Sequence, residues 1–180
     1  MQARGPLMIE HRLIERMLKI LRGEIEKIEQ DGTVDPVFVD TAVDFIRVYA
    51  DRTHHGKEED IMFRDMARKP LSERDKRVMD ELTEEHVYSR STVAGLVEAN
   101  RRYRNGDASA LKDIVAAMKT LADFYPRHIR KEDADFFPAS LQYVTAAEDQ
   151  AMLAEFYEFD RKMIHEKYTR LVDSLEKRGS

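Results

Sequence analysis

Apolar residues recur along most of the chain at alternating steps of three and four, which is the spacing of one face of an α-helix. Glycine and proline are scarce, and they fall mainly where this pattern breaks. The first helix is predicted to run from Pro6 to the turn sequence QDGTVDP, and the others to span about residues 37–67, 73–104, 108–136 and 145–177. Pro138 is expected to halt the fourth helix, and Thr145 with Glu148 to cap the fifth.

Four long helices joined by short loops imply antiparallel neighbours. The predicted fold is therefore all-α: an up-down-up-down four-helix bundle with an additional C-terminal helix. We expect a single domain over residues 1–180, with the core bundle at about 7–138 and the appended helix at about 145–177. A chain of 180 residues is long enough to bury a substantial core.

The composition narrows the classes of partner and site. The chain has no cysteine, which excludes disulfides and zinc–thiolate sites. A net charge of −5 gives no reason to expect nucleic acid as a partner, and no apolar run approaches the roughly 18 residues that span a bilayer. Charged residues near the amino terminus interrupt any signal-peptide core, so we expect a cytoplasmic protein without a membrane partner. A protein partner or a homodimer stays open.

Four histidines lie within otherwise apolar helical stripes: His11, His54, His86 and His128. The doubled histidine in THHGKEE is a special case, because α-helical phase separates its two members. One turn behind His54 is Ala50, whereas one turn behind His55 is Asp51, in a stripe that looks solvent-facing. We therefore expect His54 and Glu58 to face the core and His55 to lie near its edge.

An internal repeat supports the choice of His54. The segments HHGKEEDIMF, which begins at His54, and HIRKEDADFF, which begins at His128, share a histidine, a lysine and a glutamate in the same register. Counting the helical rise of about 1.5 Å per residue up and down from the predicted loops brings all four histidines to nearly one level. The predicted site therefore draws on two similar helical hairpins.

Four imidazoles and two carboxylates at one level of a core point to a metal centre. A single buried imidazole more often forms an ordinary hydrogen bond, but uncompensated buried carboxylates cost several kcal/mol each. Imidazole nitrogen and carboxylate oxygen without thiolate suit iron, manganese or zinc. Glu58 and Glu132 could each bridge a pair of ions, with two histidines for each ion.

The order of His11, HHGKEE, His86 and HIRKED resembles that of the hemerythrin-like (HHE cation-binding) family. The resemblance implies two iron ions with an oxo or hydroxo bridge, held by terminal histidines and bridging glutamates. Oxygen-carrying members have a second histidine one turn after the first on the third helix, whereas this chain has Arg90 there. His165 in the last helix is the candidate replacement, although the level count places it above the site. The expected metal ligands are His11, His54, Glu58, His86, His128, Glu132 and His165.

The resemblance implies binding of dioxygen or a related small oxidant, nitric oxide or peroxide, for sensing, storage or iron handling. The alternative is a catalytic di-iron oxidase or peroxidase, or an iron-centre repair protein. The Glu-x-x-His pairs of ferritin-like di-iron enzymes are absent, which favours binding over turnover without excluding an enzyme. A helical interaction module without metal is a third reading, which metal analysis would decide.

Overall fold

The computed structural model describes residues 2–176, with side chains as far as residue 163. Within that range the chain is helical without any strand, so the predicted all-α bundle with an added C-terminal helix is confirmed. None of the described helices is long and apolar enough to cross a bilayer. The helices are α1 (Arg4–Asp31), α2 (36–66), α3 (Glu73–Arg104), α4 (110–140) and α5 (Ala146–Glu176).

Local side-chain chemistry sets the helix ends. The Ser72 hydroxyl accepts a hydrogen bond from the third backbone N–H of α3, a standard N-cap. After α1 the chain turns at Gly32, whose φ of 68° lies in the left-handed region that favours glycine. The predicted capping box of α5 is present: the Thr145 hydroxyl accepts from the Glu148 backbone N–H, and the Glu148 carboxylate accepts from the Thr145 backbone N–H.

Two helices contain π-helical turns, in which backbone bonds run to the fifth residue. They cover Ile46–His55 and Glu58–Phe63 in α2, and Glu132–Phe136 in α4. The prediction that α4 halts at Pro138 is wrong, because the helix continues to Ser140 before a 3-10 turn. Pro138 stands in the first turn after the π segment, where its missing N–H is tolerated.

Pro126 lies inside α4, where a proline leaves the carbonyl four residues earlier without its helical partner. That carbonyl belongs to Ala122, and it accepts a hydrogen bond from the Arg22 guanidinium of α1. The carbonyl that Pro126 leaves without a helical partner therefore forms a hydrogen bond between α4 and α1.

Apolar side chains form two clusters along the bundle. One lies towards the α1–α2 loop and includes Leu21, Leu96 and Met118. The other includes Leu7 and Phe137, and α5 covers it with its own side chains Met152, Leu153 and Phe156. The polar residues of the candidate site belong to neither apolar cluster.

Candidate metal centre

Seven buried histidine and glutamate side chains from four helices converge inside the bundle, each at most 2% exposed. Their ligand atoms fall into two groups, within each of which the atoms lie no more than 4.8 Å apart. The first group contains only imidazoles, and the second combines imidazoles with carboxylates. The three-histidine group is His55, His86 and His128; the mixed group is His11, His54, Glu58 and Glu132.

The two glutamates lie between the two groups. Glu58 Oε1 is 3.7 Å from His54 Nε2, while its Oε2 is 3.4 Å from His86 Nε2. Glu132 Oε2 is 3.1 Å from His11 Nε2, while its Oε1 is 3.1 Å from His128 Nε2. Each carboxylate therefore presents one oxygen to each group, which is the arrangement that a bridging ligand requires.

The expectation that His55 lies at the edge of the core is wrong. Its side chain is fully buried, and its ring stacks on that of His86 with centroids 3.8 Å apart. The error came from applying α-helical phase to a π-helical segment, in which one turn takes an extra residue. One turn back from His55 is therefore the buried Ala50 and not Asp51, so both adjacent imidazoles face inward.

Four of the five imidazoles donate their Nδ1–H to a carboxylate, which turns Nε2 towards the centre. Such bonds fix the tautomer and orientation of a metal-binding histidine. Two of the acceptors, Glu59 and Asp133, directly follow Glu58 and Glu132 in the sequence. The pairs are His11 with Asp133 at 2.8 Å, His54 with Glu10 at 2.9 Å, His86 with Glu59 at 2.7 Å and His128 with Glu85 at 2.8 Å.

His55 is the exception among the five. Its Nδ1 lies 3.4 Å from Asp51 Oδ1 but forms no hydrogen bond. Asp51 is instead bound by Arg90, whose Nε is 2.8 Å from the same oxygen. Arg90 also donates to Glu59, so one guanidinium contacts the carboxylates behind two imidazoles of the three-histidine group.

Each of the four carboxylates that accepts an imidazole proton also contacts a cation. The positive charges of these cations offset the negative charges of the carboxylates. Such compensation matters because the carboxylates are largely buried. The contacts are Lys57 with Glu10, Lys131 with Glu85, Arg12 with Asp133 and Arg90 with Glu59.

The carboxylates shift the pKa values of the imidazoles. Burial disfavours a charged imidazole, but the hydrogen bond to Asp133 and the negative charge of the nearby Glu132 outweigh it and raise the pKa of His11 to about 10. The same balance, with glutamates as partners, raises the pKa of His86 to about 11 and of His128 to about 9. Burial and the neighbouring imidazoles lower the pKa of His55 well below its ordinary value.

Several buried polar atoms of this group have no hydrogen-bond partner. They include Nε2 of His55, His86 and His128 and both carboxylate oxygens of Glu58 and Glu132. Buried polar atoms without partners are costly and rare, and each calls for an explanation. Because these are nitrogen and oxygen donors aimed at one another, metal cations fit the site as its residues stand.

The structure brings together six of the seven predicted site residues, and it adds His55. His165 lies outside the residues whose side chains are described. The doubled histidine in the sequence pointed to His55, but the assumption of α-helical phase placed its side chain at the edge of the core. The buried Tyr125 next to the three-histidine group pairs its hydroxyl with Ser89 Oγ at 2.9 Å.

Comparison with known proteins agrees with this geometry. The sequence profile of the hemerythrin HHE cation-binding domain matches residues 6–140, which is most of the chain and a range that includes all seven of these residues. No curated protein and no solved structure matches the chain. The chain belongs to the hemerythrin HHE cation-binding domain family.

Proposed function

We propose that the centre holds two iron ions and binds dioxygen or a related small oxidant. The three-histidine group would hold one ion and His11 with His54 the other, while Glu58 and Glu132 bridge the pair. Imidazole and carboxylate donors without thiolate suit iron, and they also suit manganese or zinc. The bundle of α1–α4 and the added helix α5 would form one domain around this centre.

The two ion positions differ in their supply of protein donors. Three imidazoles and one oxygen of each carboxylate would be available to the first position, whereas two imidazoles and the other oxygen of each carboxylate would be available to the second. The second position therefore has more room for a ligand from outside the protein. When bound, the iron pair supplies electrons and an open coordination position for dioxygen, nitric oxide or peroxide.

The surrounding residues prepare the site for such a ligand. Carboxylates on Nδ1 hold four imidazoles with Nε2 inward, so little reorganisation is needed when the ions bind. Ile46, Leu82, Val93 and Leu121 are all buried, and these apolar side chains would help to keep water out of the interior of the bundle.

The observation that carries this proposal is the sharing of each glutamate between the two histidine groups. The test begins with metal analysis of protein produced with iron supplied. We expect about two irons per chain, and loss of at least the ion at the His11–His54 position in His54→Ala. Trace metal in the unaltered protein would contradict the proposal and leave a helical interaction module.

A second measurement separates ligand binding from turnover. The iron-loaded protein is reduced without air, exposed to dioxygen, and then returned to an oxygen-free atmosphere while its visible absorption is recorded. A change that reverses supports binding for sensing, storage or iron handling. Rapid, irreversible reoxidation with repeated consumption of dioxygen or peroxide would favour the oxidase, peroxidase or repair alternative.

A further inference from the structure

Lys57 is a fully buried lysine two residues after the doubled histidine. Lysine is rarely buried without compensation, because its ammonium loses its hydration. Its Nζ donates a hydrogen bond to Glu10 Oε1, and the other oxygen of Glu10 accepts from His54 Nδ1 at 2.9 Å. A continuous chain of polar contacts thus links the Lys57 ammonium to an imidazole of the candidate centre.

The same ammonium also contacts the C-terminal helix. Its Nζ lies 2.7 Å from Asp160 Oδ1, on α5. One residue before Lys57, the backbone at Gly56 lies so close to α5 that a Cβ there would be 2.8 Å from the Phe159 ring. Helix α5 therefore packs directly over the segment that carries His54, and its carboxylate completes the environment of Lys57.

The internal repeat supplies a comparison within the chain. Lys131 occupies the position equivalent to Lys57, and it likewise contacts the glutamate that accepts from its own histidine, here Glu85 behind His128. Its side chain is 26% exposed, and its second partner is Glu81 on the neighbouring helix α3. Only the Lys57 member of this equivalent pair is fully buried and bound to α5.

We propose that Lys57 is a positioning residue that holds Glu10 on His54 and thereby couples the docking of α5 to metal binding at the His11–His54 position. The inference rests on the proposed function, since it requires a metal at the centre. If α5 docking strengthens metal binding, metal binding must strengthen α5 docking by the same factor. The C-terminal helix would then report on metal occupancy.

The structural reason is an electrostatic one. Without the ammonium, Glu10 would keep a buried charge balanced by His54 alone, and it would be free to turn towards water. Loss of a carboxylate that orients a metal-binding imidazole typically costs about 10–100-fold in metal affinity. Loss of Asp160 would leave the Lys57 ammonium with a single carboxylate partner among those described, and would act in the same direction more weakly.

The test uses cobalt(II) alone, titrated into the metal-free full-length protein. Lys57→Met and Asp160→Asn are compared with two controls, Lys131→Met and Glu155→Gln. Glu155 on α5 pairs with Arg64, so Glu155→Gln removes a contact of α5 that lies away from the centre. The readouts are the affinity of each ion position, the cobalt-shifted NMR signals of the imidazole N–H protons, and hydrogen exchange of α5 amides with and without cobalt.

We expect Lys57→Met to weaken the His11–His54 position about 10–100-fold and to speed water exchange of one shifted N–H signal, that of His54. Lys131→Met should affect a different signal, that of His128, and weaken binding less. Cobalt should slow exchange of α5 amides several-fold in the unaltered protein and in Glu155→Gln, but not in Lys57→Met. If Lys57→Met fails to fold, Asp160→Asn keeps the Lys57–Glu10 pair and should show the same pattern more weakly.

Unaltered affinity and N–H signals in Lys57→Met, or equal effects of Glu155→Gln and Lys57→Met, would overturn this inference while leaving the metal centre intact. Failure of the unaltered protein to take up cobalt would instead overturn the proposed function and this inference with it.

Discussion

The hairpin of α1 and α2 and the hairpin of α3 and α4 contribute nearly the same set of parts. Each has a glutamate followed by a histidine on its first helix, and then a histidine, a lysine and two acids on its second helix. The glutamate binds the histidine of its own hairpin, while the last acid binds the histidine of the other. The cluster is thus built across a near-twofold relation.

One position breaks this relation. His55 in the first hairpin corresponds to Ile129 in the second, and both side chains are buried. His55 belongs to the three-histidine group, whereas Ile129 joins the apolar cluster. The two histidine groups are therefore unequal because the chemistry of one buried residue differs between the hairpins.

The backbone explains why His55 can reach the centre. In α2 the first π segment, Ile46–His55, ends with both histidines, whereas in α4 the π segment begins only at Glu132, after His128. The wider turn in α2 brings two adjacent side chains inward together. π-helical turns are rare and often found at functional sites, and here they lie at the residues of the centre.

The largest effect is expected from removing a shared glutamate. Glu132→Ala should lower the iron content from about two per chain to near zero, because Glu132 approaches histidines of both groups. Metal analysis after dialysis measures the loss. Glu98→Ala, an exposed change on α3, serves as the control and should keep both ions. Retention of two ions by Glu132→Ala would mean that the two groups are independent.

The corresponding buried positions provide a matched pair of changes. His55→Ala should reduce the metal content by about one ion, since the three-histidine group loses a donor that no other described side chain replaces. Ile129→Ala should keep both ions but destabilise the fold by about 2–5 kcal/mol, as expected for a truncated core isoleucine. Metal analysis and denaturant unfolding of both variants distinguish these results. Equal metal loss from both would contradict the assignment of His55.

The raised pKa values predict opposite pH trends for stability and for metal binding. The pKa values of His11, His86 and His128 lie at about 10, 11 and 9, above the ordinary value near 6.5. Their contribution to the stability of the metal-free fold is present in full below pH 6.5 and is lost as pH rises through about 9–11. Metal binding needs neutral imidazoles, so affinity should rise over the same range.

Thermal unfolding at pH 6.5 and pH 9, with and without metal, tests both trends. The metal-free protein should unfold at a lower temperature at pH 9 than at pH 6.5. The rise in unfolding temperature on adding metal should be larger at pH 9. A metal-induced increase that shrinks on going to pH 9 would contradict the predicted competition between protons and metal.

The smallest effect is expected from the arginines behind the acids. Arg90→Gln should weaken the three-histidine position about 10-fold, because it frees both Asp51 and Glu59. Arg12→Gln should have less effect, since Arg12 is more exposed and contacts only Asp133 among the acids behind the imidazoles. Cobalt titration measures both. A stronger effect from Arg12→Gln than from Arg90→Gln would contradict the larger role assigned to Arg90.

Much of this architecture could be predicted from the sequence, because apolar periodicity fixes helices and the repeat fixes their register. The bounds of α3 were predicted correctly, and six of the seven clustered side chains were predicted to face the core. His55 and the continuation of α4 past Pro138 were missed for one physical reason. Both lie in or directly after a π-helical segment, where the number of residues per turn differs from the α-helical value on which the predictions were based.

The central claim is that two ions lie between the two groups and share Glu58 and Glu132. Crystals of the iron-loaded protein, with anomalous diffraction measured at the iron absorption edge, test it most directly. We predict two anomalous peaks about 3.5–4 Å apart, one among His55, His86 and His128 and the other beside His11 and His54. A single peak, or peaks distant from the two glutamates, would contradict the account.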